Sequence, residues 1–198
     1  MNFRELVKSS RSRRRFDESR PVSVNVLSDL VDLARFVPSG MNLQPLKYIV
    51  TADRAQCADI FPLLGWAGYL NEWPGPKEGE RPTGYIVVLL DRTVAKSAGC
   101  DHGIAAQTIM LGAAEKGLGG CIVGTVNRKK LAKLLDISDD FEVLFVLALG
   151  VPIEEVVLES LPSDGKIKYW RDSDGKHHVP KRSLDELIVA RHPGGVEE

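Results

Sequence analysis

The chain has 198 residues, a formal net charge of −1 and 43% hydrophobic residues. This length fits one domain with a sizeable core, and the near-neutral charge argues against duplex DNA or an anionic membrane as a partner. Three widely spaced cysteines do not suggest a disulfide framework. The apolar runs are much shorter than the roughly 20 residues of a membrane helix, and the start lacks an apolar secretion signal. We therefore expect a cytoplasmic protein with no nucleic-acid or membrane partner.

The first half of the sequence alternates helical and strand patterns. Apolar residues recur at helical spacing over 26–37, and Pro38 ends this helix because it disfavours helical geometry at the preceding residue. A short strand is predicted at 46–51 and a helix at 55–64. The unbroken apolar run within 84–91 predicts a strand that is buried on both faces.

Residues 65–82 are dense in glycine and proline, which predicts a long loop. Loops of this length in compact domains are often functional lids. Trp66, Tyr69 and Trp73 lie within it, where they would either stack on planar acceptors or serve as a hydrophobic anchor. Both interpretations stay open at this point.

The second half continues the alternation. Residues 101–116 are small or apolar nearly all round a helical wheel, which is typical of a buried helix with close neighbours. A strand is predicted at 120–124, a helix capped by Asn127, and a buried strand at 142–149. Asp174 and Gly175 indicate a hairpin, and Ser183 with Glu186 forms a capping box for a last helix. We predict a single domain over residues 1–198, with a lid-like loop at 65–82 and a C-terminal hairpin and helix.

An arginine cluster near the start is the most unusual local feature: Arg11, Arg13, Arg14 and Arg15, with Lys8 and Arg20 nearby. Guanidinium groups bind phosphate oxygens through paired hydrogen bonds. Like charges at this density repel one another unless a polyanion or carboxylates compensate them. By itself the cluster also fits a solvated basic turn, or a nucleic-acid or targeting patch.

The octapeptide Pro38-Ser39-Gly40-Met41-Asn42-Leu43-Gln44-Pro45 directly follows the first core helix. Its small residues at 39 and 40 let another surface approach the backbone closely. Asn42 and Gln44 offer paired donor and acceptor edges that match a planar heterocycle. Composition alone also fits an ordinary helix-to-strand turn.

A glycine-rich stretch, Gly117-Leu118-Gly119-Gly120-Cys121-Ile122-Val123-Gly124, invites a dinucleotide-binding interpretation. That fingerprint requires a strand, a turn and then a helix. Residues 117–124 instead follow a helix and lead into a strand, so no helix N-terminus faces a pyrophosphate. We set this interpretation aside.

Together these motifs resemble the flavin-dependent nitroreductase family. Arg11-Ser12-x-Arg14 resembles its N-terminal flavin motif, residues 38–45 its second motif, residues 117–124 its glycine-rich stretch, and Lys181-Arg182 its C-terminal basic pair. The chain departs from the family pattern at Ser10, where many members have arginine, and at Leu46, where many have tryptophan. The resemblance implies an α+β, three-layer α-β-α nitroreductase-like fold with a central, mostly antiparallel sheet flanked by helices.

The resemblance also implies the FMN-binding residues. Those that would meet the phosphate are Arg11, Ser12, Lys181 and Arg182. Arg14 and Asn42 would contact the pyrimidine edge of the ring, and Pro38, Ser39 and Gln44 lie in the same motif as Asn42. The backbone around Val123 and Gly124 would lie near flavin N5. A cation such as Arg14 beside N1 and O2 would favour the negative charge of the reduced flavin. No side chain is predicted to be catalytic.

The function implied is that of an FMN-dependent oxidoreductase in which NADH or NADPH reduces the flavin by hydride transfer, and a nitroaromatic, quinone or similar acceptor then takes the electrons. The family resemblance also implies a homodimer with FMN at its interface. Two alternatives remain: a specialised flavin enzyme of the same fold, of the dehalogenating or flavin-fragmenting type, and an anion- or nucleic-acid-binding module that uses Lys8 to Arg20.

Adjacent histidines, His177 and His178, could suggest a metal. In a strand their side chains point to opposite faces, and no cysteine or carboxylate recurs at ligand spacing. We expect a surface or dimer contact and no metal site.

Overall fold

The computed structural model describes residues 1–192 and residue 194. The chain divides into two compact units, Met1–Glu154 and Glu155–Glu198. The prediction of a single domain over the whole chain stays a prediction.

The first unit contains five helices and four strands among its described elements. The helices are α1 (Phe3–Ser9), α2 (Val24–Arg35), α3 (Arg54–Ile60), α4 (Asp101–Glu115) and α5 (Arg128–Leu134). The strands are β1 (Leu46–Thr51), β2 (Gly84–Asp91), β3 (Gly119–Val123) and β4 (Phe141–Gly150). Short 3₁₀ turns cover Gly40–Asn42 and Phe61–Leu63. Every strand and helix predicted here is present, and α1, closed by a capping box between Asn2 and Glu5, is an additional helix.

The four strands form one sheet in the order β1-β2-β4-β3. All three pairings are antiparallel, and the register shifts once, between Val88 and Leu89 of β2. The central position of β2 explains its unbroken apolar sequence, because all its residues are buried. The prediction of a mostly antiparallel sheet is confirmed.

Two apolar cores cover the two faces of this sheet. On one face Ile86 and Leu147 pack in a cluster with residues of α2 and α4. On the other face Val87 and Val146 pack in a cluster with residues of α3 and α5. Alternate residues along β2 therefore serve opposite cores, as the two-residue period of a strand requires. The three-layer α-β-α arrangement is confirmed.

Helices α2 and α4 pack closely because α4 carries a glycine at their contact. A Cβ atom added to Gly112 would lie 2.5 Å from Leu33 Cδ1 and 3.1 Å from Leu30 Cδ2. This part of the small-residue face of α4 is therefore occupied within the chain. The exposed side of the helix carries Ile104.

Residues 65–82 form turns and bends, as predicted. Trp66 stacks on Phe61 with ring centroids 5.7 Å apart, and it packs against the core on the α3 and α5 face. Gly75, with φ of +121°, lies so close that an added Cβ would be 2.6 Å from Trp66 Cδ1. Trp66 is thus a hydrophobic anchor of the loop. A lid role for Tyr69, which is half exposed, and for Trp73 stays a prediction.

The second unit is a small mixed sheet with one helix. Its elements are β5 (Val156–Ser160), β6 (Trp170–Arg171), β7 (His177–Lys181) and α6 (Leu184–Leu187). The order is β5-β7-β6, with β5 parallel and β6 antiparallel to β7. The predicted hairpin and the capping box of Ser183 with Glu186 are confirmed. Strand β5 was not predicted.

The two adjacent histidines have different surroundings. His177 is 1% exposed, so the expected surface or dimer contact is wrong for this residue. His178 lies between two carboxylates, with Nδ1 2.7 Å from Glu159 Oε1 and Nε2 2.9 Å from Asp172 Oδ2, and it stacks on Trp170. Within residues 1–192, no three side chains of metal-binding type are grouped to hold an ion.

None of the helices described has both the length and the apolar character needed to cross a bilayer.

Candidate functional site

The first motif lies against the third. Ser12 forms an isolated parallel bridge with Gly120 on β3, and the Arg13 amide donates to the Gly120 carbonyl at 2.8 Å. Just before it, the Ser10 hydroxyl donates to the Met110 carbonyl on α4 at 3.2 Å. The segment after α1 is therefore held on the edge strand of the sheet and on α4.

Two arginines of the cluster are held by contacts within the chain. Arg15 forms a bidentate pair with Glu80, both N–O distances being 2.9 Å. This contact raises the pKa of Arg15 and lowers the pKa of Glu80. Arg13 Nη1 donates to the carbonyl of Glu154. The Glu80 carboxylate thus balances the positive charge of Arg15. The pair also joins the N-terminal segment to the end of the 65–82 loop.

Arg11 differs from these two. Its Nη2 donates to the Val7 carbonyl at 2.9 Å, but its Nε is buried and has no hydrogen-bond partner within the described chain. Burial lowers the pKa of Arg11. Because a buried, unsatisfied donor on a charged group is costly, Arg11 is suited to an anion brought by a ligand.

Arg14 is held beside Cys121 of β3. Its amide donates to Glu154 Oε2 at 2.9 Å, and its side chain hydrogen-bonds to the Cys121 thiol. Burial raises the pKa of Cys121, so this thiol stays protonated near neutral pH. The contact places the Arg14 side chain at the glycine-rich strand.

The second motif is attached to the first turn of α4. Asp101, which is buried, accepts from the Ser39 hydroxyl at 2.6 Å and from the Gly40 amide at 3.0 Å. The Gln44 amide in turn donates to Ser39 Oγ at 2.9 Å. These contacts from Ser39 and Gly40 lower the pKa of Asp101. Sequence reasoning missed Asp101, whose only signal was an acidic residue in the first turn of a helix.

The backbone of the second motif is strained. Met41, Asn42 and Gln44 have φ values of 49°, 55° and 53°, in the left-handed region that Met and Gln rarely adopt. Such strain is found most often at functional sites. Asn42 and Gln44 are both exposed, and Gln44 Nε2 donates to the Asn42 carbonyl at 3.3 Å. Pro38, at the start of the motif, is also exposed.

The glycine-rich strand combines tight packing with an open end. A Cβ atom at Gly120 would lie 2.9 Å from the Ala148 carbonyl oxygen, so only glycine fits there. Val123 is buried, whereas Gly124 is exposed and has no atom within 4 Å of its Cβ position. The end of β3 therefore offers uncovered backbone.

Arg128, which sequence reasoning also missed, fixes that uncovered backbone. Its Nη2 donates to the carbonyls of Gly124 at 3.3 Å and Leu144 at 2.8 Å, and its Nε donates to the Val143 carbonyl at 2.9 Å. One guanidinium thus ties the end of β3 to β4. Nothing local in the sequence marks this arginine, because two of its partners lie on another strand.

The remaining predicted residues belong to the second unit. Lys181 ends β7, and Arg182 Nη1 lies 3.2 Å from Glu186 Oε1. Their predicted contact with a phosphate stays a prediction.

Comparison with known proteins places this geometry in a family. The sequence model described as "Nitroreductase family" matches residues 7–71 and 91–151. YodC of Bacillus subtilis, described as an NAD(P)H nitroreductase, is 22% identical over 85% of this chain and 98% of its own. A 4-nitrobenzoate reductase of Pseudomonas putida is 25% identical over 81% of this chain and 89% of its own. The crystal structure of a Desulfovibrio desulfuricans protein described as a nitroreductase in complex with FMN has a TM-score of 0.67 at 23% identity, covering 98% of this chain and 99% of that one.

Proposed function

Since this chain belongs to the nitroreductase family and is an oxidoreductase, we propose that it binds FMN. The bound FMN would pass electrons from NADH or NADPH to an electron-poor acceptor such as a nitroaromatic or a quinone. The observation that carries this proposal is the buried, unpartnered Nε of Arg11, next to Ser12 on the edge of β3. The Desulfovibrio relative, which was crystallised with FMN, supports the choice of cofactor.

The phosphate of FMN fits the first motif. A guanidinium with an unpartnered buried N–H binds phosphate oxygen strongly, because charge-assisted bonds are shorter and stronger than neutral ones. Ser12 is exposed beside it and offers a hydroxyl donor. Lys181 and Arg182, which belong to the second unit, stay predicted phosphate-binding residues, as the family resemblance implies.

The ring fits the second and third motifs. Asn42 and Gln44 display amide edges that can pair with the pyrimidine part of an isoalloxazine, and Arg14 would place positive charge at that edge. Gly124 leaves its surface open to a planar group. When bound, FMN would supply hydride acceptance and electron donation.

The chain's own part in this reaction is to bind and orient. Asp101 fixes the turn that carries Asn42 and Gln44, and Arg128 fixes the backbone at Gly124. The half-buried Tyr48 near Asp101 stays protonated, since burial raises the pKa of Tyr48 to about 12. We propose two half-reactions of ping-pong type with no catalytic side chain, in a homodimer with FMN at its interface.

The experiment that tests this proposal separates the two half-reactions. Under anaerobic conditions, NADH or NADPH should bleach the flavin band at about 450 nm. After the oxidised nicotinamide is removed, a nitroaromatic or quinone alone should restore the band. If neither NADH nor NADPH bleaches the bound flavin, the proposed electron donor is wrong. If no nitroaromatic or quinone restores the flavin band, the proposed acceptor class is wrong.

A further inference from the structure

A cleft of about 600 Å³ opens in the first unit. It lies between residues 18–21, residues 52–61 and residues 78–85, and it shares no lining residue with the candidate flavin site. Small-molecule sites generally measure about 300–1,000 Å³. The size therefore suits a ligand of drug-fragment dimensions.

Two buried polar groups of this cleft lack partners within the described chain. The side chain of Tyr85 is 0% exposed, and its hydroxyl makes no hydrogen bond. The Nε of Arg81 is likewise buried and unpartnered, and its charge lies close enough to act on the Tyr85 hydroxyl. Buried hydrogen-bond donors in native proteins almost always have an acceptor. A ligand in the cleft would supply an acceptor to these two neighbouring donors.

The cation of this pair is held in place without an ion pair. The Arg81 guanidinium lies over the Phe61 ring, 4.6 Å from its centroid. The nearby carboxylate of Glu18 accepts from backbone instead, from the Gly79 amide at 2.6 Å and the Arg81 amide at 3.4 Å. No carboxylate within residues 1–192 lies at ion-pair distance from Arg81. An acidic ligand would supply the missing charge.

The rest of the lining combines apolar residues, among them Pro21, Ala52, Ala58 and Pro82, with three further charged residues, Glu18, Arg54 and Glu78. The Cys57 thiol is neutral near pH 7, because burial raises the pKa of Cys57 to about 11. The cleft thus places the oriented Arg81 cation and the Tyr85 hydroxyl among apolar residues, while the Glu18 carboxylate is already bound by the Gly79 and Arg81 amides. A few placed polar groups among apolar residues are usual in a ligand site.

We infer that this cleft is a second ligand site, distinct from the flavin site, and that it takes a small organic carboxylate whose carboxyl group meets Arg81 and Tyr85 while its apolar body lies along Phe61 and Pro82. This inference does not depend on FMN binding.

The test uses fluorine NMR of 4-fluorobenzoate added to the purified chain, measured with and without added FMN. Saturable binding is expected, at least about tenfold tighter than binding of the neutral 4-fluorobenzamide, since the charge-assisted contact is lost in the amide. The flavin spectrum should not change. Absence of saturable binding, or equal affinity for acid and amide, would overturn the inference.

Three variants locate the site. Tyr85→Phe removes only an unpartnered hydroxyl and Arg81→Gln removes the charge, so each should weaken 4-fluorobenzoate binding about tenfold while the fold is kept. Arg92→Gln, which removes an exposed arginine paired with Glu142, should leave binding unchanged. Binding that survives both cleft variants and perturbs the flavin spectrum would be binding at the flavin site, and this outcome would refute a second site.

Discussion

The hydroxyl of Ser39 lies 2.6 Å from the carboxylate of Asp101, across 62 residues of sequence. This one contact connects the polar turn after α2 to the start of the buried helix α4. It also holds a segment whose backbone is strained at three positions. Strain of this kind persists only where the surrounding structure enforces it, so Asp101 is the residue on which the geometry of the turn depends.

Asp101→Ala should therefore loosen the turn. We expect a loss of about 1.5–3 kcal/mol of unfolding free energy, the usual cost of removing a charged hydrogen-bond partner, together with weaker FMN retention. Urea unfolding and the flavin-to-protein ratio measure the two effects. Asp32→Ala, at an exposed pair with Arg35, is the matched control and should change neither. Full flavin content in Asp101→Ala would show that the turn does not bind the ring.

Arg11→Ala should yield largely colourless protein that still folds. Its guanidinium has an unpartnered Nε, so its loss removes a phosphate donor and little else, and FMN affinity should fall about 10- to 100-fold. Fluorescence titration with FMN gives the affinity. Arg92→Ala serves as a control for loss of a surface arginine. An unchanged dissociation constant in Arg11→Ala would place the phosphate elsewhere.

Arg128→Gln should separate orientation from binding. Since Arg128 holds three backbone carbonyls at the end of β3 and on β4, its loss should slow flavin reduction by NADH or NADPH more than it weakens FMN binding. Anaerobic stopped-flow measurement gives the reduction rate at saturating donor. If the rate is unchanged while stability falls, Arg128 has a structural role alone.

The second unit should be sensitive to pH. Hydrogen bonds to Asp172 and Glu159 raise the pKa of His178 above its ordinary value, and the contact with His178 lowers the pKa of Asp172. The His178 contribution to stability is therefore complete below about pH 6.5 and is lost as pH rises through the raised pKa. The Asp172 contribution is present above about pH 3.9 and is lost as pH falls through the lowered pKa.

NMR titration of the His178 imidazole checks this prediction. The midpoint should lie above about 6.5 in the native chain and should fall in Asp172→Asn. A midpoint at or below the ordinary value in the native chain would contradict the observed geometry.

Most of the first unit could be predicted from the sequence, because its elements carry strong local patterns. The bounds predicted for β1 and β2 match those observed, since both runs are apolar and end at polar or turn residues. Helix α1 was missed because it is short, basic and without buried residues. Strand β5 was missed because its pairing with β7 is parallel and distant in sequence.

The candidate site was predictable only in its local motifs. Arg11, Asn42 and Gly124 could be predicted as flavin-binding residues because each lies in a recognisable stretch of sequence, and their roles stay predictions. Asp101 and the Arg15–Glu80 pair were not found, because their contacts span 62 and 65 residues and leave no local pattern. The left-handed conformation of Met41 could not be predicted either, because methionine rarely adopts it.

The proposed FMN site depends on Arg11 and the residues around it. The most direct measurement is the visible spectrum of the purified chain after FMN is added and free flavin is removed by gel filtration at moderate salt. We expect a retained flavin band at about 450 nm with one FMN per chain, and its near-complete loss in Arg11→Ala. A colourless native chain at every salt concentration would contradict it.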